Sequence, residues 1–422
     1  ATLNMRADGS SRYSKGGKWG YFPSGALAWR MSEEAFMKDM SFVSNVKWRV
    51  GYGITGNTGI SPYQTLNLIT TGTIVLDKSL VTYYRMSDTY QSDLKWETTR
   101  HLDLGVDISL FNNRLNITAD YYHKKTDGLL NTVDMPRSSG FTTSTQNIGK
   151  MENKGFELAI DGDIISSKDW TWNLAANVSL NRNKVTELYQ RADIYGAAQD
   201  IVIMKDFVNL IRVGEPLGIF YGYVEDGYDD NGNVQYKDFD TDGKITALDR
   251  QIIGNPHPDY TLGMTSSLRW KNLQLSCFWY ATIGNDIYSL SMAALTHDYQ
   301  WGISTMKEVL YNHWTPENTN AKYPNITAAA SGNLRMSDRF VYDGSYARMK
   351  NIELAYNMPL KRYGLQSSQV YVSGQNLLTI TSYPFWDPET NARGGSRSVE
   401  QGIDAYNYPG NKSITVGIRL VF

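Results

Sequence analysis

The sequence has almost no cysteine: Cys277 is the only one in 422 residues. A single thiol excludes an intrachain disulfide and gives no support for a cysteine-rich metal site. A long uncharged apolar run is also missing and the mean hydropathy is −0.42, which excludes a transmembrane helix. The formal net charge is only −2, which excludes both a basic nucleic-acid binder and an acidic tail protein.

Enzyme motifs are missing as well. The five histidines (101, 123, 257, 297 and 313) show no HExxH or other metal-ligand spacing. No nucleophile motif is present, and no pair of carboxylates has a spacing that singles out a glycosidase. We therefore expect that the protein is not an enzyme. The first ten residues lack a basic n-region and an apolar h-region, so we expect no signal peptide and a chain that begins inside a larger protein.

Aromatic residues and glycine, in contrast, are plentiful. Aromatics make up 13% of the sequence, with 29 Tyr and 11 Trp, and there are 36 Gly. The last ten residues, "SITVGIRLVF", place Ile414, Val416, Ile418, Leu420 and Phe422 on one face of a strand. Such a mixture suits a β protein with aromatic belts and tight turns, and the final aromatic suits the girdle of a membrane barrel.

The alternation of apolar and polar residues recurs along the whole chain and predicts about twelve strands. They cover residues 1–9, 21–31, 44–55, 97–110, 113–125, 149–163, 168–184, 257–270, 271–283, 345–359, 367–380 and 412–422.

The connections between these strands alternate between short and long. The long ones are 56–96, 126–148, 185–256, 284–344 and 381–411, and short turns such as 111–112, 164–167 and 360–366 lie between them. A soluble sandwich has no reason to keep its long loops at one end, whereas an outer-membrane barrel has short periplasmic turns and long outer loops. The sequence therefore predicts an antiparallel transmembrane β-barrel whose long loops face outside.

Several phrases, in this order, resemble one family, the SusC-like TonB-dependent transporters of the Bacteroidota outer membrane. They are "RADGSSRY" (Arg6–Tyr13), "WGYFPSGALAWR" (Trp19–Arg30), "GYGITGN" (Gly51–Asn57), "NKGFELAI" (Asn153–Ile160), "NVSLNRNKV" (Asn177–Val185), "VGEPLGIFYGY" (Val213–Tyr223), "DTDGKITALDRQIIGNPHPDYTLG" (Asp240–Gly263), "MKNIELAYNMP" (Met349–Pro359) and "VYVSGQNLLTITSY" (Val370–Tyr383) with "DPE" (Asp387–Glu389).

The resemblance implies a barrel of about 22 strands around an N-terminal plug preceded by a TonB box. Residues 1–422 would then be the C-terminal part of that barrel, its last twelve strands, without plug, TonB box or the first ten strands. It also implies TonB-dependent import of oligosaccharides or peptides across the cell outer membrane. The implied partners are a SusD-like surface lipoprotein, TonB acting through the missing N-terminal part, and outer-membrane lipid. Two alternatives stay open: a siderophore or cobalamin receptor without a lid, and a secreted all-β carbohydrate-binding or adhesion protein.

The stretch "DFDTDGKITALD" within loop 185–256 resembles an EF-hand calcium loop. Asp238, Asp240 and Asp242 occupy positions 1, 3 and 5, Gly243 the sharp-turn position 6, and Asp249 position 12. We expect Ca²⁺, with Mg²⁺ less favoured, bound by these four carboxylates and by the carbonyl of Lys244. The alternative is a solvated acidic turn, and Asp249 in place of the usual Glu should weaken binding.

Aromatic and acidic residues in loop 381–411 are candidates for ligand contacts. Tyr383, Trp386 and Asp387 could stack on a sugar or hydrogen-bond a ligand. Tyr and Trp also supply the interfacial girdle of a membrane protein, which is the better explanation for most aromatics of this sequence.

Overall fold

The computed structural model describes residues 1–421 apart from a few short segments. The segments outside the description are 64, 67–68, 87–88, 92–93, 135, 137, 139–140, 142, 197–198, 202–203, 298–303, 327–334, 360–364 and 392–398. Phe422, for which we predicted a place in the aromatic girdle, also lies outside the described residues.

Twelve strands form one antiparallel sheet in which each strand pairs with the next long strand of the chain. They are β1 (Thr2–Gly9), β2 (Trp19–Arg30), β3 (Val43–Asn57), β4 (Glu97–Leu110), β5 (Leu115–Asp134), β6 (Thr143–Ser166), β7 (Trp170–Glu187), β8 (Tyr260–Trp270), β9 (Leu273–Ile283), β10 (Tyr346–Asn357), β11 (Ser367–Thr381) and β12 (Ser413–Val421). All twelve predicted strands are thus confirmed, as is the all-β class.

The two faces of the sheet differ as the alternation predicts. On β12, Ile414, Val416 and Ile418 point to an apolar outer face, and Ile418 is 65% exposed. The opposite face is polar: Arg49 of β3 donates to Asp107 of β4 at 2.9 Å and to Asp120 of β5 at 2.8 Å. The exposed apolar face suits contact with lipid, and the charged face suits contact with water.

Gly105 of β4 makes room for this group of three charged side chains. A Cβ atom at Gly105 would lie 2.2 Å from the Asp120 Oδ1 and 2.7 Å from the Arg49 guanidinium carbon. Because Gly105 has no side chain, Arg49 can reach both Asp107 on β4 and Asp120 on β5. The positive charge of Arg49 then offsets the repulsion between these two acids.

The turns at one end of the sheet are tight. Phe111, Asn112 and Asn113 all have positive φ between β4 and β5, and Lys271 does so between β8 and β9. Asparagine tolerates this left-handed region better than most residues, so the "FNN" sequence suits the turn.

One predicted long loop is mostly strand. We expected a loop at 126–148, but β5 and β6 continue as a paired ladder to Asp134 and Thr143. A bulge around Gly128 lets the ladder bend without ending. The pair at the end of this ladder is Asp134 with Thr143.

The other long connections contain structure of their own. The additional strands are Ile69–Leu76, Ser79–Met86, Thr89–Gln91, Ile194–Tyr195, Gln199–Ile201, Met204–Asp206, Asn209–Ile211, Ile219–Gly222, Glu225–Tyr228, Val234–Tyr236, Gln251–Gly254, Asp286–Ser289, Val341–Asp343 and Ile403–Asp404. The α-helices are α1 (Leu290–His297) and α2 (Lys307–Tyr311), and short 3-10 turns cover Met31–Glu33, Ala35–Met37, Tyr189–Arg191, Ala247–Asp249 and Asp338–Phe340. No described helix has the length and apolarity to cross a membrane.

Candidate functional site

Three long connections fold together at one end of the sheet. We call the described residues of 188–259, 284–345 and 382–412 the loop cap. Its own hydrophobic core consists of Val208, Phe220, Tyr288, Leu290, Ala293, Ala294, Met336, Phe340 and Ile403. Asp286–Ser289 pairs in parallel with Ile403–Asp404, so segments more than a hundred residues apart share one small sheet. The cap therefore presents a fixed surface rather than separate loops.

The acidic stretch predicted to bind a cation is part of this cap. Asp238, Asp240 and Asp242 each place a carboxylate oxygen within 4.8 Å of the others. Gly243 has a φ of 81° with nothing within 4 Å of the position of a Cβ, as the sharp turn requires. The Gly243 NH donates to the Asp238 Oδ2 at 2.7 Å, and the Lys244 NH donates to the Asp242 Oδ1 at 2.7 Å. The structure thus brings three of the predicted ligands together.

Asp249 does not belong to this group of oxygens. Its Oδ1 accepts from the Phe239 NH at 2.8 Å, and its Oδ2 accepts from the Thr246 NH at 2.7 Å. Asp249 is buried, and these bonds, that of Thr246 first, hold the pKa of its carboxyl below the usual range. The Thr246 hydroxyl in turn accepts from the Leu248 NH at 3.1 Å. Asp249 therefore closes the loop as part of a capping box, a role that position 12 of the motif does not reveal.

The charges of the three clustered acids affect one another. Desolvation, followed by the charges of Asp242 and Asp249, raises the pKa of Asp240. The Asp238 Oδ1 is shielded from solvent and has no hydrogen-bond partner among the described residues. Oxygens from alternating residues that converge in this way match the ligand set of a hard cation.

The acidic loop is joined to the rest of the cap on both sides. The Arg335 side chain donates to the carbonyl of Ile245 at 3.2 Å and stacks over the rings of Tyr223 and Tyr236. Directly after Asp249, Arg250 pairs with Asp206. The acidic loop is therefore in direct contact with neighbouring segments of the cap.

Two of the three residues predicted to contact a ligand make contacts within the chain. Tyr383 is buried, and its hydroxyl donates to Asp404 at 2.6 Å and lies 2.9 Å from the Ser289 hydroxyl. Asp387 pairs with Arg348 and accepts from the Gly410 NH at 2.9 Å. Both side chains hold loop 381–411 in place.

Trp386 is different because its ring is available. It is 61% exposed and stacks on Phe385 with ring centres 4.8 Å apart. A flat ring held by a second ring can accept the apolar face of a ligand.

Sequence reasoning missed the residue that anchors this loop to the barrel. Arg348 of β10 is only 5% exposed. It contacts Asp387, Glu389 at 2.8 Å and the Thr379 hydroxyl at 2.9 Å. The sequence indicates only that a basic residue lies on the inner face of a strand. It does not indicate which loop that residue contacts.

The comparisons with known proteins agree on one family. The family model described as "TonB dependent receptor-like, beta-barrel" matches residues 1–377. TonB-dependent receptor P3 of Formosa agariphila is 38% identical over 443 residues, which cover 100% of this chain and 44% of that protein. TonB-dependent receptor SusC of Bacteroides thetaiotaomicron is 33% identical over 445 residues, which cover 100% of this chain and 42% of that protein.

A solved structure is also similar along nearly the whole chain. The RagAB peptide transporter superimposes with a TM-score of 0.84 at 25% identity, covering 99% of this chain and 45% of that chain. The chain thus spans less than half the length of the relatives that it matches.

Proposed function

Since this chain belongs to the TonB-dependent receptor-like β-barrel family and is SusC-like within it, we propose that it forms the C-terminal part of the barrel of an outer-membrane importer. The chain is an outer-membrane protein. The proposed activity is TonB-dependent uptake of oligosaccharides or peptides together with a SusD-like surface lipoprotein. An enzymatic role is not proposed, because the relatives are receptors.

The twelve-stranded sheet supports this proposal most directly. Its outer face is apolar and exposed, its inner face carries charged pairs, and its long connections fold into a cap at one end. A binding protein on the cell surface needs neither a wet inner face nor a lipid-facing one. RagAB, the similar structure, is described as a peptide transporter, which supports a peptide cargo. The resemblance to SusC-like transporters keeps oligosaccharides open.

Uptake by cells tests the proposal. Cells that express the full-length protein should take up labelled oligosaccharide or peptide, and cells without it should not. Uptake should stop when the proton gradient is removed by an uncoupler or when TonB is deleted. Purification without denaturant should recover a lipoprotein with the barrel, visible as a second mass. Uptake that persists without TonB would contradict the proposal, as would a protein released from the envelope without detergent.

We also propose that the acidic loop binds Ca²⁺, or less favourably Mg²⁺. Asp238, Asp240 and Asp242 would supply side-chain oxygens and Lys244 its carbonyl, and Asp249 would close the loop instead of binding the ion directly. An extracellular site of this kind can be weak, with a Kd of about 10⁻⁴–10⁻³ M. The ion would offset the repulsion among three clustered carboxylates and fix the surface beside Phe239 and Leu248.

A luminescent lanthanide tests the cation site. Tb³⁺ bound there should be sensitised by the nearby Tyr236, and Ca²⁺ should displace it. The double change Asp240→Ala with Asp242→Ala should abolish the signal while the barrel stays folded. The matched control, Glu33→Ala with Asp39→Ala at the opposite end of the sheet, should leave it unchanged. Equal Tb³⁺ luminescence in both double variants would refute the site.

For Trp386 we propose a stacking contact with the ligand. Its exposure and its support by Phe385 favour this role. Trp386→Ala should weaken ligand binding, and Trp386→Phe should retain most of it. Unchanged binding in Trp386→Ala would contradict the stacking role.

A further inference from the structure

The outer face of four neighbouring strands changes from apolar to basic toward the loop cap. The register of β4 to β7 aligns the outward-facing residues in rows across the strands, and β7 ends directly before the cap begins. One row, which we call the apolar row, consists of Leu104, Tyr121, Phe156 and Leu180. The next row toward the cap is Leu102, His123, Lys154 and Arg182, and the row after it is Arg100, Lys125, Glu152 and Lys184.

Basic side chains dominate these two rows and are exposed. We call them the basic patch, which consists of Arg100, Lys125, Lys154, Arg182 and Lys184. The first four are 51–56% exposed, and Lys184 is exposed as well. Nearer the tight turns, the same face has no charge in its row of Ile108, Ile117, Ile160 and Ala176. The cations thus lie only at the cap end of this apolar face.

The lysines of the patch outnumber the acids beside them. Glu152 is the only acid in the two basic rows, and its carboxylate lies 2.6 Å from the Lys154 Nζ and 3.9 Å from the Lys125 Nζ. The His123 ring lies 3.2 Å from the same carboxylate. Lys184 is the cross-strand neighbour of Glu152 on β7 and makes no ion pair with a residue that the structure describes. Three lysines therefore share one carboxylate, which leaves an excess of positive charge.

The two arginines have one carboxylate each. Arg100 pairs with Asp127 at 2.9 Å, and Arg182 pairs with Asp259 at 2.7 Å. A guanidinium has five N–H donors, so a contact with a single carboxylate leaves donors for another anion. Both arginines can therefore contribute to binding without giving up their present partners.

The position of the patch indicates which anion it suits. Lys154 and Arg182 belong to the row next to the apolar row, in which Leu104, Tyr121 and Phe156 are 40–41% exposed. An anionic lipid has the same arrangement, with a phosphate directly beside apolar chains. Arg and Lys are the usual protein partners of phosphate, and attraction between such residues and anionic lipid adds to the burial of apolar surface.

We propose that the basic patch binds the phosphate of a phosphorylated lipid in the membrane leaflet beside the loop cap. The acyl chains of this lipid lie along the apolar row. A free phosphate would use the cations and leave the apolar row uncovered, which is why a lipid fits this face better. The inference concerns the lipid-facing surface of the barrel and does not depend on the cargo that is imported.

Lipid binding to the purified full-length protein in a neutral detergent tests the patch. Native mass spectrometry measures the apparent affinity for lipid A with a single phosphate, for the same lipid after removal of that phosphate, and for phosphatidylcholine. The phosphorylated lipid should bind at least about tenfold more tightly than the other two. Glycerol 3-phosphate, which has the phosphate but no acyl chains, should not displace it.

Two variants of the patch should change binding in opposite directions. Each Lys or Arg near anionic lipid contributes about a factor of five, so Lys125→Gln with Lys184→Gln should weaken binding of the phosphorylated lipid about twenty-five-fold. Glu152→Gln removes the acid that the lysines share and should strengthen binding about fivefold. A merely structural role of Glu152 would not produce tighter binding.

The matched control is Lys78→Gln with Lys307→Gln, which removes the same charge from exposed lysines outside β4 to β7. It should bind lipid like the wild type, and heat-modifiable migration should show that every variant is folded. The proposal is overturned if removal of the phosphate leaves lipid binding unchanged, if both lysine double variants bind equally, or if Glu152→Gln does not tighten binding. Displacement by glycerol 3-phosphate would also overturn it, because the patch would then be a site for free phosphate.

Discussion

Replacing Arg348 by Met should release loop 381–411 from the barrel wall. Arg348 and Asp387 have side chains that are only 6% and 10% exposed. Removal of one partner from such a pair leaves an unpaired buried charge and costs about 3–5 kcal/mol. Asp387 would keep only the NH groups of Gly410 and Glu389, each at 2.9 Å. Because each 1.4 kcal/mol is about a factor of ten, local opening should become roughly a hundred to a few thousand times more frequent.

Hydrogen exchange measures this opening at the amides that depend on Asp387. The amides of Gly410 and Glu389 should exchange faster in Arg348→Met, while those of the barrel strands should not. Adding Asp387→Asn to Arg348→Met should restore much of the protection, because it removes the unpaired buried charge. Arg419→Met is the control. Arg419 is 53% exposed where it pairs with Glu353, and loss of such a pair costs at most about 1 kcal/mol.

The same pair predicts a dependence on pH. Burial disfavours the charged carboxylate of Asp387, but Arg348 and the two NH groups outweigh it, and the pKa of Asp387 is lowered. A depressed carboxyl pKa gives stability that is present above the unfolded value of about 3.9 and is lost as the pH falls through the folded value. The difference between wild type and Arg348→Met should therefore shrink below about pH 4. Unchanged exchange in Arg348→Met at neutral pH would refute the reasoning.

Three further predictions use other assays. Asp249→Ala removes the capping box and should speed exchange of the Thr246 amide roughly tenfold; unchanged exchange would show that the acidic loop does not depend on this carboxyl. A cysteine at Ser331 should be labelled from outside intact cells, whereas one at Ser166, beside a tight turn, should not; equal labelling would reverse or abolish the predicted orientation. Deleting Phe422 should lower the amount of heat-modifiable barrel in the membrane, and an unchanged amount would contradict an assembly role.

The barrel strands could be predicted from the sequence almost residue by residue. The predicted strands 271–283 and 412–422 are Leu273–Ile283 and Ser413–Val421 in the structure. Lipid on one side and water on the other force a period of two, and that period can be read from the side chains alone. The prediction failed at 126–148, where paired strands continue past the apolar band and lose the alternation that marks them.

The candidate site could be predicted only where its geometry is local. The spacing of Asp238, Asp240 and Asp242 was sufficient, because a short turn brings alternating residues together. The contact of Asp387 with Arg348 joins residues 39 apart in sequence, and no local pattern encodes it. Tyr383 was predicted to be available to a ligand because it is an aromatic residue in a long loop, but its hydroxyl donates to Asp404, which lies on another part of that loop.

The way the cap is held also bears on how access to the barrel is controlled. Ordering a loop costs about 1–2 kcal/mol per residue in backbone entropy, and here a buried core, a parallel strand pair and the Arg348 contacts offset that cost. A hinge motion of the cap would have to break several of these contacts at once. The contacts cross from one connection to another and from the cap to β10, so they tie the described segments that make them to one another. The arrangement therefore favours a fixed cap, on which the proposed SusD-like lipoprotein would sit.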